Sequence, residues 1–352
     1  MKLGFYSFDV APGNNMELLA AEAKKRGHEV INPPKQKAVG EEDMAALLGC
    51  DVVVTGLSSF ETEQELNIVR HLPDRTKWIV VEDVPDSCLR PLARDYAGKA
   101  EAVFMAPHSS LVDAHAFGYR YSLGFGPPPL WGKEYNELMA AKATNLRQKI
   151  QKTVIGGEPI SIRDNDILVG FVGGKEPDLN NLVLAMLFRA LAGWHRAVIG
   201  FSQHPGEKAT KPEEEERFAE AFKDRAEMLN NVWHLSKNWK GVEVGAAADV
   251  MIYAGGTNAS ISGAYARIPG VYLDIKEVRE RIVAQTGKET WFVPELGGCY
   301  KATDIDSLSA KLRIATSDEG KAELRSMQKS AFPIPDDWDT VSKILDYIEQ
   351  YA

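Results

Sequence analysis

The sequence predicts an α/β protein built from two parallel sheets that follow one another along 352 residues. Three observations carry that expectation. Apolar, β-branched runs alternate with helical patterns from the first residues to about 125. Gly126-Pro127-Pro128-Pro129 then breaks the alternation, because a proline run continues neither helix nor strand. After Gly156-Gly157 the alternation restarts. Near-continuous apolar strands separated by helices imply sheets covered on both faces, and ligands then sit outside the carboxyl ends of the strands.

Taken in order, the first domain (1–126) offers strands at 3–8, 51–56, 78–83 and 102–106. Met16, Leu19, Ala20 and Ala23 mark the buried face of its first helix, which Gly27 ends, and Asn15 is expected to cap it. Four loops, 9–15, 56–61, 82–87 and 107–110, should therefore point at one crevice, bringing Asp9, Asn14, Ser58, Glu61 and His108 to its rim. A linker and connecting helix fill 127–160, with Tyr135, Leu138, Met139, Leu146 and Ile150 on the helix. The second domain (161–335) begins with ILVGFVGG, continues through an apolar helix at 182–194 and the strand AVIGFS, and reaches Gln203-His204-Pro205-Gly206-Glu207. A charged helix at about 213–229, the short strand VWHLS, the stretch 249–274, the helix KEVRERIVAQTG, a strand WFVPE and a helix opening near Asp304 follow. A last helix occupies 336–352, beyond Pro333 and Pro335.

Composition narrows the classes. The length suits two cores, 44% apolar residues is ordinary for a globular chain, and no window approaches the ~18 uninterrupted apolar residues of a membrane span. MKLGFYSF runs directly into a strand pattern, so no secretory signal is expected. Cys50, Cys88 and Cys299 lie far apart without metal-ligand spacing, which fits a reducing, cytoplasmic compartment. A net charge of −9 argues against a broad nucleic-acid footprint while leaving a local basic groove open. G-x-G-x-x-G and GxxxxGK[ST] are both absent, and so is zinc-ligand spacing.

The functional reading concentrates in DVMIYAGGTNASISGAYARIPGVYLD (249–274). A strand ends in Gly255-Gly256, and Thr257 and Asn258 open a small-residue helix. The glycines let an anion approach the backbone, and the free N–H groups of the first helical turn point at it with the positive end of the helix dipole. This run resembles the donor site of GT-B superfamily glycosyltransferases and of UDP-N-acetylglucosamine 2-epimerases, in which a strand, GGT or GGS, and a helix ending in Ile-Pro follow in that order. Where that family carries a ribose-binding glutamate, this chain has Ser262, which would offer the ribose a hydroxyl contact without charge. His204-Pro205, after a strand, resembles the His-Pro element placed against the donor phosphate, and imidazole suits that task. Gly173-Gly174 again follows a strand of the same domain, and the pair is expected to bind the donor phosphate together with His204, Gly255, Gly256, Thr257 and Asn258. Glu82-Asp83 resembles the acidic pair of bacterial sialyltransferase-type enzymes, with Val84 in place of their glycine; Asp83 is the first choice for a general base and Glu82 the second.

The resemblance implies two Rossmann-like domains facing across a cleft, with the final helix crossing back to the first. It implies transfer of a sugar from a UDP- or CMP-linked donor to a hydroxyl of a saccharide, a lipid-linked acceptor or a modified nucleobase, with no metal and no cofactor beyond the nucleotide-sugar substrate. Three alternatives share the fold: a nucleotide-sugar 2-epimerase, a phage-type transferase acting on DNA bases, and a binding protein that has lost catalysis.

Overall fold

The computed structural model describes residues 1–351 except 59–61, 125, 145, 152–153, 156–157, 160–163, 175, 195, 203–231 and 235–239. The chain divides into two compact units: unit 1 comprises Met1–Lys133, Ile282–Phe292 and Pro335–Ala352, and unit 2 comprises Glu134–Arg281 and Val293–Ile334.

Unit 1 is built on six parallel strands, β1 (Lys2–Tyr6), β2 (Glu29–Ile31), β3 (Val52–Thr55), β4 (Lys77–Val81), β5 (Ala100–Phe104) and β6 (Ser122–Leu123), in the order β2-β1-β3-β4-β5-β6. Phe5 pairs with Val54, Val54 with Ile79, and Val81 with Phe104. Successive side chains point to opposite faces, so each strand feeds two cores. Leu3, Phe5, Val52, Val54, Ile79 and Val81 pack on one face beneath Met16 and Leu19 of the helix Val10–Lys25 and Ile344, Leu345 and Ile348 of the helix Thr340–Tyr351. Trp78, Val80 and Val103 turn the other way, onto Leu66, Val69, Cys88 and Tyr119. The final helix thus belongs to the first unit.

Unit 2 carries a two-stranded ribbon, β7 (Val154–Ile155) and β8 (Glu158–Pro159), and a second six-stranded parallel sheet: β9 (Ile167–Val172), β10 (Ala197–Ser202), β11 (Val232–His234), β12 (Val250–Tyr253), β13 (Gly270–Leu273) and β14 (Tyr300–Ala302). Its order is β11-β10-β9-β12-β13-β14. In each sheet the order reverses once, between β1 and β3 in unit 1 and between β9 and β12 in unit 2. At such a reversal the flanking connections leave toward opposite faces and open a crevice at the strand ends.

Two sequence expectations are corrected. WFVPE is no strand: Phe292–Glu295 forms a short helix, and the edge strand is Tyr300–Ala302, too short and too polar to show an apolar run. The first helix starts at Val10, with Asp9 at its N-cap, so Pro12, Gly13 and Asn15 are helical. Proline is tolerated in the first turn because its missing N–H has no intrahelical acceptor there. Asn15 is therefore no cap; it is fully buried and its Oδ1 accepts from Leu130 N at 2.7 Å. The helix expected at 213–229 lies outside the described residues.

Candidate functional site

The unit 2 reversal carries both glycine pairs of the sequence. Gly173-Gly174 follows β9, and Ala254-Gly255-Gly256-Thr257 follows β12 and leads into the helix Asn258–Tyr265. This helix is seated closely on its strand: a Cβ on Gly263 would overlap the Tyr253 hydroxyl. Its far end is closed by Arg267, which sits at φ 59 and donates from Nη1 to the carbonyls of Ala264 and Gln328, each at 2.8 Å. The near end has no side-chain cap. Thr257, the N-cap, makes no side-chain cap bond, and its Oγ1 and the Asn258 Oδ1 are buried without a hydrogen-bond partner among the described residues. Of the first-turn N–H groups, which have no i−4 acceptor in any helix, Ser260 N donates to Thr257 O at 3.0 Å; a helix start of this kind is where proteins place anions.

Between the two glycine turns lies a side chain the sequence reading passed over. Arg281 projects from the helix Lys276–Thr286 into the notch: a Cβ on Gly174 would overlap its Nη1, and one on Gly255 would stand 2.9 Å from its Cδ. Gly255 also needs to be glycine for its backbone, at φ +84. The Arg281 side chain is only 9% exposed and pairs through Nη1 with Glu176 Oε2. Burial lowers its pKa, and the neighbouring Glu176 opposes that shift.

Several expected contacts have a different job. Gly173 N donates to Ser202 O at 2.9 Å, and Gly174 N to Asn180 Oδ1 at 2.8 Å, while Asn180 Nδ2 donates back to Gly174 O at 2.9 Å. The amides expected to hold a phosphate are thus committed within unit 2, and what this glycine pair contributes is space. Ser262 is buried and donates to the carbonyl of Asn258 at 2.9 Å, inside its own helix, so its hydroxyl proton is already used there. His204 lies outside the described residues.

The unit 1 reversal is acidic. After β1 and β3, Glu65 Oε1 accepts from Ser7 Oγ at 2.5 Å, from Phe8 N at 2.9 Å and from Ser58 Oγ, and Ser58 Oγ in turn accepts from Asp9 N at 2.7 Å. Glu65 is fully buried, its Oε2 has no partner among the described residues, and burial lifts its pKa to about 7. Ser58 therefore ties loops together. After β4, Glu82 Oε2 accepts from Ala106 N at 2.8 Å and Ser109 Oγ at 2.6 Å, and Oε1 from Cys88 N at 3.2 Å. Burial raises its pKa to about 7 against these bonds. Both its oxygens bind the neighbouring loops and the residue is 1% exposed, so its contacts serve the loops.

Asp83 differs. Its Oδ1 stands 3.9 Å from Arg90 Nη2 and is not hydrogen-bonded to any described residue; burial raises its pKa, Arg90 lowers it, and Asp9 nearby raises it again. Its backbone is fixed, because Trp131 Nε1 donates to Asp83 O at 3.0 Å. Arg90 is oriented by donating from Nε to Gln285 O at 2.8 Å. Asp86, in the left-handed region at φ 62, accepts from Ser110 N at 3.0 Å and pairs with Lys288 at 2.6 Å, completing a charged rim. His108, at φ 74, stacks on Phe292 with ring centres 5.4 Å apart, and burial lowers its pKa. Asn14 accepts from Lys35 Nζ at 2.7 Å. The structure thus brings Asp9, Ser58 and Asp83 to the ends of neighbouring strands and gives Asn14 and His108 local partners.

The fold defines the class: two Rossmann-like units, each a parallel sheet whose strand order reverses once, as in GT-B-like α/β proteins. No family model matches the chain, and no curated protein matches its sequence. Solved structures do match. UDP-GlcNAc 2-epimerase from Methanocaldococcus jannaschii is similar over 99% of this chain and 100% of its own, with a TM-score of 0.60 at 13% identity. HepE from Anabaena, determined in complex with UDP and glucose, matches over 100% of this chain and 99% of its own, with a TM-score of 0.59 at 13% identity. Sucrose-phosphate synthase from Thermosynechococcus elongatus matches over 99% and 98%, with a TM-score of 0.59 at 11% identity. The resemblance to the GT-B superfamily read from 249–274 therefore extends, as fold, over the whole chain.

Proposed function

We propose that the protein transfers a sugar from a UDP- or CMP-linked donor to a hydroxyl acceptor, with unit 2 holding the donor phosphate and unit 1 supplying Asp83 as the base. The observation that supports this most is the convergence at the unit 2 strand reversal. Two glycine turns, an uncapped helix N-terminus and a buried guanidinium meet there. A departing nucleotide gains negative charge as the sugar bond breaks, and preorganised N–H donors and a cation placed where that charge develops lower the barrier. Attack on the sugar carbon makes the acceptor hydroxyl acidic, and a carboxylate with its pKa raised by burial is a stronger base than an ordinary aspartate. Glu82, with both oxygens occupied, serves instead to hold the loops that surround Asp83.

A thermal-shift screen of uridine and cytidine mono- and diphosphates tests the donor site. A ligand at about 100 times its dissociation constant adds about 2.7 kcal/mol of stability. One base should be preferred, and Gly255→Val, which puts a β-branched residue at φ +84 and against Arg281, should abolish the shift. Absence of any nucleotide effect on the wild-type protein would overturn the reading, and turnover of UDP-N-acetylglucosamine without an acceptor would replace transfer by epimerisation.

A further inference from the structure

The two glycine turns are shaped around Arg281, and this geometry points to a role that the donor-site reading does not contain. Gly174 and Gly255 come from different strands, yet a side chain on either would strike the same guanidinium. Glycine at both positions therefore makes room for an arginine, independently of any phosphate. Such a position is costly: a guanidinium only 9% exposed has lost most of its hydration. Its Nε and Nη1 form no hydrogen bond with good geometry to any described residue, and the one carboxylate paired with it among those residues, Glu176, is itself 37% exposed. Beside the same notch, Thr257 Oγ1 is buried and without a partner among the described residues. Arg281 Nε and, two residues beyond Gly255, Thr257 Oγ1 thus have no partner among the described residues, while Nη1 is engaged by the Glu176 carboxylate.

We propose that Glu176 is an internal competitor for the donor phosphate: its carboxylate occupies Arg281 in the free protein, and a bound phosphate takes its place on the guanidinium. Arg281 stays where the glycines hold it, and Glu176 swings toward solvent, which its exposure permits. The exchange is charge for charge, so Arg281 is never left buried and unpaired, and the empty site does not gather adventitious anions. Guanidinium suits both partners because its planar fork binds carboxylate and phosphate in the same two-pronged manner. This inference rests on the proposed donor site for the identity of the anion, but the pairing itself concerns phosphate chemistry alone.

The test measures the binding of two probes, UDP and inorganic pyrophosphate, by titration calorimetry to wild type, Arg281→Ala, Arg281→Lys and Glu176→Gln, with circular dichroism to establish folding. Glu176→Gln removes the competitor's charge and should tighten both probes about tenfold, the ordinary worth of a charge-assisted hydrogen bond. Arg281→Ala should weaken both by about a hundredfold, and Arg281→Lys, which keeps the charge and loses the fork, by about tenfold. Glu176→Gln lies at a half-exposed position and keeps the test decisive if Arg281→Ala does not fold. Unchanged affinity in Glu176→Gln overturns the competition, and tighter binding in Arg281→Ala overturns it too, by showing that the guanidinium merely plugs the notch. Pyrophosphate binding with these changes but no UDP preference sinks the nucleotide reading and leaves the exchange standing; no binding of either probe sinks both.

Discussion

At the scale of single residues, three buried carboxylates of unit 1 differ in what their oxygens are doing, and that difference sorts their roles. Asp83→Asn keeps size and removes basicity, so turnover should fall by about 10²–10⁴, with UDP affinity unchanged because the proposed phosphate site is on unit 2. In the wild type the rate should climb with pH through a value above the ordinary aspartate value of about 3.9, since burial disfavours the charged form the reaction needs; equal loss of affinity and rate in Asp83→Asn would argue for a structural role instead. Glu65 makes a stability prediction. Its folded pKa of about 7 exceeds the ordinary 4.5. Between those values the native state holds a proton that the unfolded chain has released, so this group lowers stability as the pH rises through that window. Glu65→Gln imitates the protonated form, and the melting temperature of the variant should fall less than that of wild type from pH 4.5 to 7. Glu82, with the same direction of shift, leaves the variant a residual slope. Parallel melting curves for variant and wild type across the window would contradict the assignment.

At the scale of elements, the sequence was legible wherever burial is periodic. The strands ending at Tyr6, Thr55, Val81, Phe104, Val172 and Tyr253 are apolar because both faces are covered, and the glycine turn with its helix start at Thr257 follows from strand, glycine and cap in order. The short edge strand Tyr300–Ala302 was invisible because pairing on one side demands little of its side chains. The more instructive failures are Arg281 and Glu65. In the helix Lys276–Thr286 the inward stripe is Val278, Ile282 and Gln285 with the Arg281 side chain, 9% exposed, among them, and in the helix Thr62–His71 it is Thr62, Glu65, Leu66 and Val69. Both follow i, i+3, i+4, i+7, and both put a charge in the position of a core residue. A charged residue on an apolar stripe is the readable sign of a site, because only a partner or a ligand offsets its desolvation. Neither residue stands out from the sequence, since the surrounding composition reads as an ordinary amphipathic surface helix. Conversely, Gly173-Gly174 looked like a phosphate turn, and nothing local announces that Asn180 captures its amide.

At the scale of the molecule, the strand reversal of each sheet gathers the charged groups, while stability resides in the faces behind them. The helix Thr340–Tyr351 shows which forces hold unit 1 together. On its outer side Arg26 meets Asp346 at 2.6 Å and Glu349 at 3.2 Å, and His28 meets Glu349 at 2.8 Å. Asp346 is 66% exposed, and pairs of this kind contribute about 0–1 kcal/mol, less in high salt. On its inner side Ile344, Leu345 and Ile348 are wholly buried against the sheet, in the same cluster as Leu3, Phe5 and Val54. Truncating such a residue removes its transfer free energy and leaves a cavity, together about 2–5 kcal/mol. Ile348→Ala should therefore lower the denaturation midpoint far more than Arg26→Ala, and only the Arg26→Ala effect should shrink when salt is added. Neither variant touches the notch around Arg281, so both should retain wild-type UDP affinity under native conditions. A salt-sensitive loss in Arg26→Ala as large as that of Ile348→Ala would mean that the last helix is held by its ion pairs and that the apolar seam beneath it is not the main anchor of unit 1.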